Sequence, residues 1–208
     1  MRVSRSIAVA ALATSASALV APRVPRDVGA DVSVRVSRDN EKPFILQSRT
    51  KDGGGYNGYY VYAYHTGAGL NDAMLDTQES VANQGTAFTG DISGWSPFFA
   101  VLFELGGSPY ELMPSTEPTQ YLGLLPVRIN ANGGPPSETN AFYFEGDTLQ
   151  WTSSAKSNPP GGFAGWLACQ SEHGSLEDPS TPGVQLFYRT KPGSPPDGCN
   201  DIDLVAIY

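Results

Sequence analysis

One stretch, Tyr56 to Asp72, reads YNGYYVYAYHTGAGLND and gathers the side chains best suited to chemistry. His65 is of the residue type that exchanges protons near neutral pH and ligates metals. Thr66, Asn71 and Asp72 add a hydroxyl, an amide and a carboxylate close by. Two roles are open to this cluster. In one, Asn71 and Asp72 bond the N–H groups of their own loop and His65 anchors it to a neighbouring strand. In the other, His65, Thr66, Asn71 and Asp72 point outward to a ligand. Just upstream, Tyr60, Tyr62 and Tyr64 alternate with Val61 and Ala63, so the three rings share one face of a strand. They could form an aromatic platform for a sugar, or pack between sheets with their hydroxyls at the rim.

Other chemistries find less support. A nucleophile triad needs a Ser or Cys beside His65, and no G-x-S-x-G occurs. The nearest look-alike, Gly106-Gly107-Ser108-Pro109, carries a proline unsuited to a strand-to-helix elbow. A carboxylate pair for glycoside hydrolysis could be drawn from Asp72, Asp76, Glu104, Glu111, Glu145, Asp147 and Glu172. With 21 acids in the chain, most belong to a solvated surface. Gly67-Ala68-Gly69 lacks the third glycine of a dinucleotide loop and the Gly-Lys of a phosphate loop. His173, in Ser171-Glu172-His173-Gly174, follows a buried-looking strand and could approach His65. Neither a metal nor a cofactor is expected, and no catalytic residue is assigned.

The elements that must position these residues are strands. Gly (23) and Pro (17) are abundant, charged residues make up only 16%, and short apolar runs alternate with turn signals. Phe44-Ile45-Leu46 opens the folded region, and Lys51 to Gly55 turns the chain into the tyrosine strand. Ala73 to Ala82 reads as a short strand or a helical turn. Phe98 to Leu105 is a continuous apolar run, as in a buried strand. In Gly123 to Asn130, Leu125, Val127 and Ile129 share a face, while Pro126 argues for an edge or a bulge. Gly146-Asp147 joins two strands as a hairpin, and Gly165–Gln170, Val184–Arg189 and Ile202–Tyr208 are the last strands. Trp151 and Trp166 are expected in the core. The expected fold is a single all-β domain over residues 41–208, an antiparallel β-sandwich with jelly-roll-like topology, with a closed β-barrel as the alternative.

The N-terminus has the pattern of a secretory signal peptide. Arg2 and Arg5 precede an apolar run from Ile7 to Val20, with Ala16-Ser17-Ala18 as cleavage site, so residues 1–18 are expected to be removed. That removes two arginines and no acid, taking the formal net charge from −8 to −10. So acidic a surface disfavours nucleic acid and anionic lipid, and neither is expected as a partner. No later apolar run is long enough to span a bilayer. Residues 19–40 read as a flexible leader or an edge strand, with Val32, Val34 and Val36 alternating. In an oxidising compartment the two cysteines, Cys169 and Cys199, are expected to form a disulfide that holds the Gly174–Gly198 loop against the sheet.

Three blocks carry a resemblance: Tyr62 to Asp72 (YAYHTGAGLND), Gly165 to Cys169 (GWLAC), and Gln185-Leu186-Phe187 with Cys199 and Asp203-Leu204-Val205. Over about residues 41–208 the chain resembles an uncharacterised family of small secreted proteins of filamentous ascomycete fungi that carry a domain of unknown function. Its C-terminal third has a looser likeness to fungal conidial cell-wall proteins. The resemblance implies secretion, a disulfide and a fungal origin, and supplies no catalytic residues. Ser175 to Gly183 is an additional segment relative to that pattern. The expected function is non-enzymatic binding to a cell-wall polysaccharide or host surface, as an effector for instance. The alternative is an extracellular glycan-acting hydrolase using His65 and nearby acids.

Overall fold

The computed structural model describes residues 42–51, 53–77, 81, 85–91, 97–115, 119–131, 140–152, 165–175, 178 and 180–208. The expected signal peptide and leader lie outside these residues. Among the described residues there are twelve strands: β1 (Phe44–Thr50), β2 (Tyr60–Gly67), β3 (Leu70–Asp76), β4 (Thr86–Asp91), β5 (Phe99–Leu105), β6 (Ser108–Pro114), β7 (Leu124–Ala131), β8 (Ala141–Glu145), β9 (Thr148–Thr152), β10 (Trp166–Gly174), β11 (Pro182–Arg189) and β12 (Cys199–Ile207). Among the described residues only Val81 is helical. Of the segment Ala73 to Ala82, β3 makes a strand as far as Asp76, while Val81 is helical.

Every pairing is antiparallel, and the strands join in one sheet ordered β10-β12-β9-β8-β5-β4-β1-β2-β3-β11-β7-β6. Extra pairings fold this sheet onto itself. The series β10–β12–β1–β2–β3–β11 returns to β10 through a regular β10–β11 register, Trp166↔Tyr188 to Gln170↔Val184. All twelve strands send side chains into one interior cluster, including Leu46, Val61, Leu75, Phe103, Phe142, Leu149, Trp166, Leu186 and Leu204. The fold is thus all-β, antiparallel and sandwich- or barrel-like. Burying a large apolar side chain contributes roughly 1.5–3 kcal/mol, so this shared interior is the main source of stability. Trp151 and Trp166 both belong to it, and the Trp166 indole donates to the Leu149 carbonyl at 2.7 Å.

Turn chemistry explains several connections. Gly106 and Gly107, both at positive φ (59° and 82°), make the two-residue turn between β5 and β6, where Leu105 pairs with Ser108. Two consecutive positive φ values are what a type I′ hairpin requires. The Gly-Gly-Ser-Pro look-alike is therefore a hairpin and not a nucleophile elbow. Pro126 lies inside the sheet, with β6 on one side of β7 and β11 and β3 on the other. On that second side β7 changes partners right after Pro126: Phe187 of β11 faces Pro126, and Asp72 of β3 faces Arg128. The Pro126 carbonyl accepts from the Ser115 N–H at 2.8 Å, so the missing N–H falls on the β6 side, just past the last β6 residue, Pro114, where that ladder ends.

Candidate functional site

The β2–β3 hairpin divides the polar cluster between two faces. Its register pairs Tyr60 with Asp76, Tyr62 with Met74, Tyr64 with Asp72 and His65 with Asn71. Paired residues share a face. Val61, Ala63, Ala73 and Leu75 face the interior cluster. Tyr62, Met74 and Val81 form a separate cluster on the other face, with Tyr60 and Tyr64 packed against it. Tyr62 is fully buried, so the three tyrosines do not form a continuous exposed platform; they pack in a buried cluster of their own, apart from the main interior cluster. Burial pushes the Tyr62 phenol up, with smaller contributions from Asp76 and Tyr64.

His65 and Asp72 consequently point apart. His65 is exposed and lies 3.4 Å from the Asn71 amide oxygen. Asn71 is buried: its side-chain NH₂ donates to the Ile129 carbonyl at 2.7 Å, and its backbone N–H donates to Asn130 Oδ1 at 3.1 Å. Asn71 thus ties the hairpin end to β7, which is structural work. Thr66 is exposed and donates to the Leu70 carbonyl at 3.2 Å, beside the irregularity in register between His65 and Gly67.

Asp72 anchors the candidate site on the opposite face. It is 2% exposed, and its two oxygens have separate partners. Oδ1 pairs with the Arg128 guanidinium across the β3–β7 register, and Oδ2 lies 2.7 Å from His173 Nε2. His173 reaches it from the end of β10, where the register with β11 shifts between Gln170 and Gly174. Such irregularities re-aim side chains. His173 therefore meets Asp72 rather than His65. The His173 ring also stacks on Tyr64, with centroids 5.0 Å apart and planes at 28°. Burial lowers the Arg128 guanidinium from its usual value, yet arginine stays cationic at ordinary pH. The carboxylate can only accept, so Nε2 carries its hydrogen toward Asp72. Nδ1 of a neutral His173 is then a hydrogen-bond acceptor, and it becomes a donor on protonation.

Two open recesses flank this trio. The larger, about 320 Å³, is lined by Asp72, Arg128 and His173 together with Gln120, Glu172 and Gln185 among others. The smaller, about 280 Å³, is lined by the same trio with Thr66, Leu70 and Asn130. The larger lies on the outer face of the sheet, where β3, β7 and β11 meet and exchange partners. Of the seven acids that could supply a carboxylate pair, Asp72 and Glu172 line it. Glu111 is buried elsewhere and accepts from the Asn140 amide at 2.6 Å, while Asp147 is exposed and pairs with Arg49. Among the described residues no group of three or more His, Cys, Asp or Glu side chains is placed to hold a metal ion.

Residues 41–208 match a family described as a domain of unknown function, DUF7907. The chain belongs to this family. No curated protein matches it. The DUF7907 domain of this chain thus combines one structural polar pair, His65–Asn71, with a trio whose Arg128 was not singled out in the sequence. The trace of Arg128 there is its alternation with Val127 and Ile129, which sends it to the outer face.

Gly183 holds the trio's third member in place. A Cβ built there would lie 2.8 Å from the His173 carbonyl, 2.8 Å from Met74 Cε and 2.9 Å from the Gly174 carbonyl. Two of these neighbours are backbone atoms that cannot simply rotate away. Gly183→Ala is expected to cost roughly 1–3 kcal/mol as an overpacked site, and to shift the His173 ring resonances relative to those of His65. A stability within about 0.5 kcal/mol of the parent, the range of an ordinary surface substitution, with unmoved His173 resonances, would refute this packing role.

Proposed function

We propose that this protein is a secreted, non-enzymatic binding protein of fungal origin that recognises hydroxyl-rich polysaccharide on a cell wall or host surface. The cleft around Arg128, Asp72 and His173 is the proposed binding site. One observation carries the preference for binding over catalysis: both oxygens of Asp72, the buried acid of the cleft, are engaged, by Arg128 and by His173. A carboxylate paired with a guanidinium is held ionised, so it cannot serve as the proton-donating acid of a glycosidase pair. The amides of Gln120 and Gln185 and Nδ1 of His173 supply donors and acceptors suited to sugar hydroxyls. Export is supported by the N-terminal residue pattern, and the buried Cys169–Cys199 disulfide is compatible with it.

A hydrolase reading is favoured by one feature, the 2.7 Å contact between His173 Nε2 and Asp72. A buried carboxylate that orients a half-exposed imidazole is the arrangement a general base uses. A glycan array probed with the secreted protein and its His173→Ala variant, followed by a reducing-end assay on every retained glycan, separates the two. Binding is expected for the parent, weakened in the variant, with no release of reducing ends. Release that depends on His173 would replace the binding reading with the hydrolase, and an array without any retained glycan would refute glycan recognition.

A further inference from the structure

We propose that the ligand of this cleft is a linear chain that crosses the Arg128–Asp72–His173 ridge and occupies both recesses, rather than a single sugar ring seated in one. This deepens the binding reading above and rests on it. The two recesses share the same three residues, which makes the trio a divider between two halves of one site. Each recess alone sits near the lower limit of ligand pockets, about 300–1,000 Å³, and both are open rather than enclosed. An open site offers a single ring few contacts, whereas a chain gains from contacts on both sides of the divider without a second association cost.

The two sides offer complementary surfaces. The larger side carries the Gln120 and Gln185 amides, with Gln120 exposed at the rim. On the smaller side, Leu70 is 52% exposed, one of four large hydrophobic residues so placed among the described residues. It lines a recess with Thr66 and Asn130 and offers an apolar surface to the carbon face of a sugar. The divider itself is stiff: Asp72 is buried beneath, Arg128 is paired to it, and His173 is stacked on Tyr64. An exposed Glu172 on the larger side and the acidic balance of the chain direct the choice to uncharged chains.

The test compares affinities of the secreted protein for glucose, N-acetylglucosamine and their linear β-linked hexasaccharides by calorimetry. One hexasaccharide is expected to bind at least ~10-fold more tightly than its monosaccharide. Leu70→Ala and Gln120→Ala, each at an exposed position on one side of the divider, are expected to weaken the hexasaccharide several-fold without changing the melting temperature. Monosaccharide and hexasaccharide of equal affinity, or a hexasaccharide insensitive to Leu70→Ala, overturns the chain-spanning site while leaving the binding reading in place. No binding of any of the four probes overturns both.

Discussion

Asp72→Ala is expected to lower the stability of the folded protein by about 3–5 kcal/mol, the usual cost of removing one partner from a buried ion pair. The carboxylate is 2% exposed and the Arg128 side chain 20% exposed, so water cannot readily replace what is lost. Arg128 has been partly desolvated, as its lowered pKa reflects, and would keep its charge without the anion that compensates for it. His173→Ala is expected to cost less, about 0–1 kcal/mol, since a partly exposed pair is screened by solvent and the His173 side chain is 38% exposed. The contrast is the informative quantity. Urea unfolding of both variants at neutral pH measures it, and equal losses for the two would show that Asp72 is not the anchor of the trio.

That asymmetry explains why the site was only half legible in the sequence. Strand alternation placed Tyr64 and its neighbours on one face, and the hairpin register then put Asp72 opposite Tyr64. The same register separates His65 from Asp72, two residues that proximity in the sequence had grouped. Grouping by proximity fails here because a shift of one residue in register moves a side chain to the other face. The irregularity at the end of β2 has no clear sequence mark. His173 lies 101 residues from Asp72, and it reaches the site through a register shift at the end of β10 that local pattern does not encode.

The fold was more legible, because most of its strands announce themselves by alternation and by glycine turns. The Gly146-Asp147 hairpin, the apolar β5 and the closing β12 follow from such patterns. β4 and β6 do not. Thr86–Asp91 is short and half polar, and Ser108–Pro114 begins and ends near prolines with Glu111 at its centre. A glutamate at a fully buried position argues against a core strand, but Asn140 satisfies it at 2.6 Å, and Asn140 in turn accepts from the Trp151 indole at 2.8 Å. The sheet can bury that acid because Asn140, the residue just before β8, supplies its hydrogen bond.

Removing the Cys169–Cys199 disulfide is expected to destabilise the protein by about 3–4 kcal/mol, from the entropy returned to an unfolded chain closed over a loop of this length. The two cysteines are 30 residues apart and lie opposite each other on β10 and β12, both buried. The segment between them is not the loose loop that its prolines and glycines suggest. β11 occupies Pro182–Arg189 and pairs with β10, β3 and β7. Residues 190–198 have restraints of their own: Arg189 binds the Gly193 carbonyl and Asp201, and Thr190 Oγ1 donates to the Gly123 carbonyl at 2.7 Å. The crosslink therefore locks β10 to β12, one link of the strand circuit that closes on the β10–β11 pair, and contributes little to the loop. Hydrogen exchange on a Cys169→Ala/Cys199→Ala variant distinguishes the two locations. Protection is expected to fall across β10 and β12 while residues 190–198 exchange as in the parent. Loss of protection confined to residues 190–198, with both strands unchanged, would return the disulfide to the role of a loop clasp. Alanine is the appropriate replacement because serine would place an unpaired hydroxyl among Leu124, Leu167 and Phe187, adding the cost of an unsatisfied buried group to the one being measured.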